Sequence, residues 1–504
     1  MSTGIEPKAR TYGGWRRPQS PGIGPLKLIP SVGMFAGLAL ALLVAMVAGF
    51  WWALLVVGLL ALTAGPAVLP YRGRTVYAEW GRSWTWRRHR RRGFHLYRSG
   101  LAGVTPTGSR SLPGLLAKAG AWAAVDAAGR AFALVEIPQA HQWAVVLRVA
   151  AQGGALVDTD TTDVWVAGWG EYLALLGAEG GVVQAAAVVE TEPNAGALLR
   201  AHVDSQVRPD APPFARQVAD AAAAELPAGV ADTVGYVTLT FSEKALGIIR
   251  KGGEQTAAAV AEEIGRRLPG LSVALRDSGA SEGLPLSVDQ LARRVREAYD
   301  PSVAGDFAGL DAAGLPVHVQ WADAGPSAHD ETATSYSHDS GLSRTWEAMG
   351  VPPGLVRDSV MGRLMGPMAA APRKRVTLLY RPVDAGQTAA LVDRDLRSAI
   401  NRTGRRKGLA YSHDTVALKS ARQATEEEAA GAGVVTFSLL VTVTVTDPAD
   451  FDRATTAVER AGRGARFRLS PVRGAQAAAF AGALGVGLSL PDLSVVPHVA
   501  RDHI

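Results

Sequence analysis

The run VVTFSLLVTVTVT, from Val434 to Thr446, decides the fold class of this chain. Large apolar side chains recur at every second position, beginning with Phe437, Leu439 and Val441, and mostly Ser and Thr stand between them. Because successive side chains of a strand point to opposite faces of the sheet, this period predicts one buried face and one wetter face. The run therefore predicts a long strand of an antiparallel sheet.

A helix is predicted directly after this strand. Asp447 and Pro448 supply an N-cap and a first-turn proline, and Phe451, Ala454 and Val458 give the next residues a buried stripe. The same rules predict strands at residues 131–137, 143–149, 182–189, 236–242 and 373–380, and helices at about residues 163–177, 256–268, 288–299 and 387–401. Elements in this irregular order are typical of the α+β class.

The patterned residues fall into two predicted lobes. Residues 112–300 and residues 346–504 each read as a mixed α/β lobe with antiparallel sheet. Between them, residues 301–345 contain Pro, Gly, Ser, Asp and His in place of periodic apolar residues. This composition predicts a polar linker or an exposed loop.

The positive charge of the chain is concentrated in two short segments. The 504 residues carry a formal net charge of +6, from 52 Lys and Arg against 46 Asp and Glu. Residues 1–31 and residues 70–111 hold the basic excess, and the remainder of the chain is mildly acidic. The chain has no cysteine, which excludes disulfides, cysteine nucleophiles and thiolate metal sites.

A long apolar segment precedes the lobes. No charged side chain lies between Lys27 and Arg72, and the run from residue 32 to residue 69 contains Thr63 as its one polar side chain. As a single helix this run would be about 57 Å long, nearly twice the hydrocarbon core of about 30 Å. The sequence therefore predicts a two-helix transmembrane hairpin over residues 32–70 that turns near Gly49.

Basic residues flank both ends of this apolar segment, whereas its predicted turn has none. The positive-inside rule then places both flanks in the cytoplasm. The resulting expectation is a protein of the inner (plasma) membrane with both termini cytoplasmic, in which residues 1–31 form a basic cytoplasmic tail. Both lobes are then expected to be cytoplasmic.

Residues 71–111 read as an Arg/Trp-rich juxtamembrane segment. Aromatic side chains recur there at helical spacing, and a run of Arg follows them. Such a helix suits the headgroup level of an anionic lipid bilayer, where each Arg adds about 1 kcal/mol of attraction. The predicted membrane-surface residues are Trp80, Trp84, Arg87, Arg88, Arg90, Arg91 and Arg92. Interleaved Arg and Trp can also hold single-stranded nucleic acid, so DNA contact remains an alternative without being required.

The sequence contains no catalytic constellation, so no enzyme activity, cofactor or metal is predicted. The phosphate loop G-x-x-x-x-G-K-[ST] is missing from the sequence, which argues against ATP hydrolysis by this chain. Asp158, Asp160 and Thr162 resemble the D-x-D-x-T signature of aspartate-based phosphoryl transfer. Asp and Thr residues before a helix are nevertheless ordinary caps, and capping is the preferred interpretation.

Two His-Asp pairs lie in the predicted linker. His329 precedes Asp330, and His338 precedes Asp339. These side chains could in principle bind a metal ion, but a nine-residue separation on a loop gives no geometric advantage for ligation. Solvated linker residues are therefore preferred to a metal site.

Two stretches carry a resemblance to a known family. The predicted hairpin with the following GFHLYRSGL (residues 93–101) resembles the PrgI-type small inner-membrane subunit of Gram-positive conjugation machines. The carboxy-terminal strand and helix with PVRGAQAAAFAGALGVG (residues 471–487) resemble the amino-terminal region of the conjugation ATPase of type IV secretion systems. Together they resemble an actinobacterial type IV secretion-like membrane protein family in which the motor domain is absent.

The resemblance implies a noncatalytic inner-membrane scaffold of a type IV-like conjugation or secretion apparatus. Such a scaffold would dock a separate motor ATPase and other secretion subunits, as part of a hetero-oligomer. A type VII secretion membrane subunit is the nearest alternative. A membrane-anchored phosphotransfer enzyme that uses Asp158 and Asp160 is an alternative of another class.

Overall fold

The computed structural model describes residues 28–68, 70–71, 74–100, 103, 109–151, 157–193, 196–208, 210–225, 231–352, 356–405, 412–429, 431 and 433–494. The chain divides into two compact units. Unit 1 comprises Met1–Trp15 and His95–Ser489, and unit 2 comprises Arg16–Phe94 and Leu490–Ile504.

Three helices dominate unit 2. Its elements are α1 (Leu28–Ala48), α2 (Phe50–Val68), β1 (Pro70–Tyr71), β2 (Arg74–Thr75) and α3 (Val76–Arg91). The helices α1 and α2 meet at Gly49, whose φ of 95° is a conformation that glycine adopts without strain. They pack closely enough that a Cβ on Gly37 would lie 2.2 Å from Cδ2 of Leu60. Much of the apolar surface of this pair is exposed, as at Met46 and Trp51.

The predicted transmembrane hairpin over residues 32–70 is wrong. The sequence analysis located the break near Gly49, and two helices do meet there. Each helix must nevertheless combine sufficient length with sufficient apolar character by itself, and no helix among the described residues is long and apolar enough to cross a bilayer. The inner-membrane localisation and the orientation with both termini in the cytoplasm were derived from that hairpin, and they are corrected with it.

Unit 1 is an α+β structure. Its helices are α4 (Thr159–Ala178), α5 (Ala197–Gln206), α6 (Pro213–Glu225), α7 (Gly253–Val273), α8 (Val288–Tyr299), α9 (Val303–Ala312), α10 (Gly362–Met365), α11 (Ala385–Arg405), α12 (Ser412–Ala429), α13 (Phe451–Gly464) and α14 (Gln476–Ala483). Its strands are β3 (Leu96–Arg98), β4 (Gly120–Val125), β5 (Ala131–Ile137), β6 (Gln142–Val149), β7 (Val182–Pro193), β8 (Ala231–Ser242), β9 (Leu284–Pro285), β10 (Ala328–Glu331), β11 (Tyr336–His338), β12 (Gly341–Ala348), β13 (Arg373–Pro382), β14 (Val435–Val445) and β15 (Leu469–Pro471).

One sheet of 13 strands joins the two predicted lobes. Its main path runs β3-β10-β11-β12-β14-β13-β7-β8-β6-β5-β4, with β15 beside β12 and β9 beside β6. The strands β7 and β13 connect the lobes, because they pair antiparallel from Thr191 opposite Lys374 to Ala185 opposite Tyr380. Residues 112–300 and 346–504 therefore share one sheet within unit 1.

Residues 301–345 contain regular structure. They hold the helix α9, the strands β10 and β11, and the first part of β12. In β11, buried Tyr336 and His338 alternate with exposed Ser337. Burial thus alternates with a period of two in β11. The buried residues are polar or aromatic, however, so the sequence shows no alternating apolar pattern.

Two apolar clusters lie in the described part of unit 1. One lies between the strands β5, β6 and β8 and the helix α7, and it includes the fully buried side chains of Trp143 and Ile264. The other lies between β12, β14 and α13, and it includes Trp346, Val441 and Val458. The alternating run that predicted β14 thus supplies one of the two cores.

The segment 483–488 crosses the sheet after α14 and is held by strand side chains. Thr377 donates a hydrogen bond to the carbonyl oxygen of Ala483 over 2.7 Å, and Thr240 donates one to that of Gly487 over 3.1 Å. The amide of Gln184 donates to the carbonyl oxygen of Leu488 over 3.1 Å. We refer to residues 483–488 as the crossing segment. Its backbone acceptors are satisfied by side chains because it runs across the strands.

Candidate functional site

Helix α3 of unit 2 carries the predicted membrane-surface residues. Trp80 is 66% exposed and Trp84 is 54% exposed, which is unusual for such large apolar side chains. The five Arg residues of the prediction are all exposed: Arg87, Arg88, Arg90, Arg91 and Arg92. The first four lie on the last turns of α3, and Arg92 follows the helix directly.

Six exposed aromatic and basic side chains share one side of α3. At about 100° per residue, positions 77, 80, 84, 87, 88 and 91 fall within an arc of about 100°. Cations near the carboxyl end of a helix also complement its dipole, which favours Arg in this last turn. We call Tyr77, Trp80, Trp84, Arg87, Arg88 and Arg91 the basic-aromatic face.

Aromatic contacts order the end of α3. The guanidinium of Arg88 lies 5.8 Å from the ring centroid of Trp84, which is within reach of a cation–π interaction. Away from the basic-aromatic face, Trp86 stacks on His89 at 5.8 Å, and His89 contacts the ring of Phe94 at 5.6 Å. The helix therefore presents its Arg side chains from an ordered backbone.

Asp158 and Asp160 lie at the amino terminus of α4, where the capping interpretation places them. Asp158 occupies the N-cap position with extended backbone angles, although its side chain makes no capping hydrogen bond. Asp160 follows in the first turn, and both carboxylates are exposed. Exposed carboxylates at a helix start are stabilised by the helix dipole, and this arrangement adds nothing specific to phosphoryl transfer.

The structure brings His329 and His338 together. They are directly opposite each other in the pairing of β10 with β11. The hydroxyl of Tyr336 lies 3.0 Å from Nδ1 of His329, and the ring of Tyr97 stacks on His329 at 5.2 Å. Among the described residues, no group of three or more His, Cys, Asp or Glu side chains could hold a metal ion. These histidines belong to a buried aromatic cluster.

His338 is the centre of a buried chain of hydrogen bonds. Its Nδ1 lies 2.6 Å from the carbonyl oxygen of Tyr299, so Nδ1 donates and Nε2 accepts from the hydroxyl of Ser343 over 2.7 Å. The oxygen of Ser343 lies 2.7 Å from that of Thr444. Burial lowers the pKa of His338 to about 4, and the positive charge of Arg375 acts in the same direction.

We expect the stability of unit 1 to decrease as the pH falls from about 6.5 to about 4. In this range the unfolded chain binds a proton at His338 that the folded chain excludes, so the stabilisation present above pH 6.5 is lost. The contribution is on the order of 3 kcal/mol. Urea unfolding at several pH values measures it, and His338→Gln should flatten the dependence. An unchanged slope in that variant would contradict the assignment.

A buried ionic cluster on β7, β13 and α8 was not predicted from the sequence. The carboxylate of Glu190 accepts hydrogen bonds from Arg294 over 3.0 and 3.2 Å, and Arg375 donates a further one. Arg294 also lies 3.9 Å over the ring of Tyr236 and donates to the carbonyl oxygen of Leu484 over 2.7 Å. Burial by itself raises the pKa of Glu190, but the two guanidiniums outweigh it and hold that pKa below its ordinary value.

This ionic cluster is buried, and the space beside it has a volume of about 10 Å³. That is room for about one water molecule and for no larger ligand. No sequence motif could have identified the cluster, because Glu190 is 104 residues from Arg294 and 185 residues from Arg375. We interpret it as a structural element of the sheet.

The comparisons with known proteins concern the helical pair. The family described as Domain of unknown function (DUF8461) matches residues 19–78, which include α1 and α2. No curated protein matches the chain. The family match carries no function and covers a small part of the chain, so it neither supports nor tests the resemblance to a conjugation family.

The expectation of a membrane-spanning protein is corrected by the structure. The predicted transmembrane helices are wrong, since no described helix can cross a bilayer. Neither the matched family nor the fold provides support for conjugation or secretion. The membrane-surface assignment of α3 is a separate prediction, because it concerns an exposed face and does not depend on a spanning segment.

Proposed function

We propose that the chain is a noncatalytic scaffold that binds the anionic headgroups of a phospholipid surface through helix α3. The basic-aromatic face supports this proposal, because it exposes Trp80, Trp84 and a group of Arg side chains on the same side of one helix. Aromatic rings favour the headgroup region of a lipid surface, and Arg side chains pair with its phosphates. Anionic phospholipid is the proposed ligand because its negative charge complements the Arg side chains of α3.

The expected strength of this contact follows from its charges. Each Arg near an anionic surface contributes about 1 kcal/mol, and the attraction decays within a Debye length of about 8 Å at physiological salt. The three Arg of the face, Arg87, Arg88 and Arg91, therefore contribute about 3 kcal/mol together. Such a contact is reversible and sensitive to salt.

The proposal that the chain is noncatalytic is supported by the hydrogen bonds and ion pairs of two buried polar side chains in unit 1. Glu190 is engaged by two guanidiniums, and His338 is engaged at both ring nitrogens. Groups satisfied in this way stabilise a fold and have no lone pair or proton directed at a substrate. The docking of a separate motor ATPase, within a hetero-oligomer, stays a prediction that rests on the resemblance.

The test is vesicle binding by the full chain. Replacing Arg87, Arg88 and Arg91 together by Gln should weaken binding to vesicles of phosphatidylcholine mixed with phosphatidylserine by about 100-fold. Binding to phosphatidylcholine alone should change little, since the lost attraction is electrostatic. Co-sedimentation at increasing salt measures the binding to each vesicle type. The difference in binding between the two vesicle types gives the contribution of the Arg side chains, because exposed apolar surface should bind both types.

A matched control is available on α13, where Arg453, Arg460 and Arg463 are exposed. Their joint replacement by Gln removes the same charge and should leave the preference for phosphatidylserine intact. Equal loss in both triple variants would show that net charge alone matters, and it would overturn the assignment to α3. Binding of a single-stranded oligonucleotide through the same three Arg, with no preference for phosphatidylserine, would favour nucleic acid instead.

A further inference from the structure

Unit 1 has an open cavity of about 790 Å³ beside α9. This volume lies within the range of about 300–1,000 Å³ that is typical of sites for small molecules. Its apolar lining comes from Val303 and Phe307 of α9 together with Val319. Ser99, Gln320 and Ser327 add neutral polar residues to the lining.

The wall that contains Ser327 is held by a buried network. Arg296 donates to the carbonyl oxygen of Gly325 over 2.6 Å and to Asp339 over 2.9 Å. The other oxygen of Asp339 accepts from the backbone N–H of Ser327 over 2.8 Å. Asp300 also pairs with Arg296 at 2.6 Å, so this guanidinium is neutralised by two carboxylates. The network joins this wall to α8, and with one guanidinium (+1) and two carboxylates (−2) it carries a net charge of −1.

Two opposite charges on the cavity lining remain uncompensated. Arg110 and Asp323 both line it, and no ion pair joins these two residues. The carboxylate of Asp323 accepts the backbone N–H of Arg110 over 3.1 Å, and the guanidinium of Arg110 has no ion-pair partner within the described part of the chain. His318 also lines the cavity, and its Nδ1 lies 3.3 Å from the carboxylate of Asp289.

We propose that this cavity binds a small zwitterion with apolar side chains, the chemistry of a short apolar peptide with free termini. Arg110 would pair with the ligand carboxylate, and Asp323 would pair with its ammonium group. The apolar side chains would lie against Val303, Phe307 and Val319. A ligand with both charges satisfies both unpaired groups of the site, whereas a simple anion or cation would leave one of them unpaired.

The probe for this proposal is leucylphenylalanine, with its N-acetyl form and its C-terminal amide as charge-deleted partners. Isothermal titration of the full chain should show that the zwitterion binds about tenfold more tightly than either partner, since each charged contact contributes about that factor. No binding of the dipeptide, or equal binding of all three compounds, would overturn the proposal.

Two variants assign the charges to their residues. Arg110→Gln should abolish the preference for the dipeptide over its amide and leave the preference over the N-acetyl form. Asp323→Asn should do the reverse, and its side-chain oxygen can still accept the N–H of Arg110. Arg460→Gln, an exposed Arg on α13 that does not line the cavity, should change neither preference. Loss of both preferences in each variant, or of neither, would overturn the assignment.

Discussion

Glu190→Gln is expected to lower the free energy of unfolding of unit 1 by about 3–5 kcal/mol. The side chain of Glu190 is 4% exposed and, among the described residues, it is the one carboxylate that pairs with both Arg294 and Arg375. Both guanidiniums are themselves nearly buried, so the variant leaves two positive charges in the protein interior without a counter-charge. The cost of such uncompensated charges exceeds that of losing the hydrogen bonds.

The measurement is urea unfolding followed by circular dichroism, at neutral pH. The neighbouring Glu192 is the control, because its side chain is 30% exposed and pairs with Arg373 at 3.1 Å. Glu192→Gln should change stability by less than about 1 kcal/mol. Replacing Glu190, Arg294 and Arg375 together by Met should recover most of the lost stability, since no buried charge then remains. A Glu190→Gln protein as stable as the Glu192→Gln protein would contradict this account.

The sequence predicts individual elements of unit 1 well where apolar periodicity is strong. The run at residues 434–446 corresponds to β14, and the strand predicted at residues 131–137 corresponds to β5. The helix predicted at residues 288–299 corresponds to α8, which begins with a capping box between Ser287 and Gln290. These features depend on neighbours in sequence, so short-range rules are sufficient to find them.

The pairing of strands that are distant in sequence cannot be predicted by these short-range rules. The two predicted lobes share one sheet because β7 pairs with β13, and nothing in either strand specifies that partner. The hairpin of β10 and β11 was read as a linker because its buried positions are His, Tyr and Glu. Side chains of these types are buried through hydrogen bonds and ring contacts, and an apolar pattern does not report such burial.

The candidate sites likewise include residues that the sequence identifies and residues that it does not. The composition of α3 identified Trp80, Trp84 and the Arg residues, and these residues are exposed in the structure. The transmembrane hairpin was inferred from an uninterrupted apolar run, and it was wrong. The cavity beside α9 could not be predicted, because Arg110 and Asp323 are distant in sequence and are brought together only by the fold.

Gly487→Ala is expected to destabilise unit 1 by about 4 kcal/mol, because the crossing segment fits against the sheet without space for a side chain. A Cβ at this position would lie 2.1 Å from Cβ of Ala144, which is a fully buried residue of β6. The φ of Gly487 is 98°, so alanine would also be held in a backbone conformation that L-residues rarely adopt. Overpacking costs about 1–3 kcal/mol and the backbone conformation about 1–2 kcal/mol more.

The matched control is Gly270→Ala in α7, where a Cβ would meet no atom within 4 Å. Gly270 lies inside a helix, so the same substitution should stabilise the protein by up to about 1 kcal/mol. Urea unfolding of both variants thus tests whether the same Gly→Ala substitution lowers the free energy of unfolding at residue 487 and raises it at residue 270. The Gly487→Ala protein should also lose the protection from hydrogen exchange of the β6 and β8 amides that the crossing segment covers. If the Gly487→Ala protein is as stable as the unsubstituted protein, residues 483–488 are not packed on the sheet as described. A Cβ can be accommodated there only if the segment moves away from Ala144, and that movement would break the hydrogen bond from Thr240.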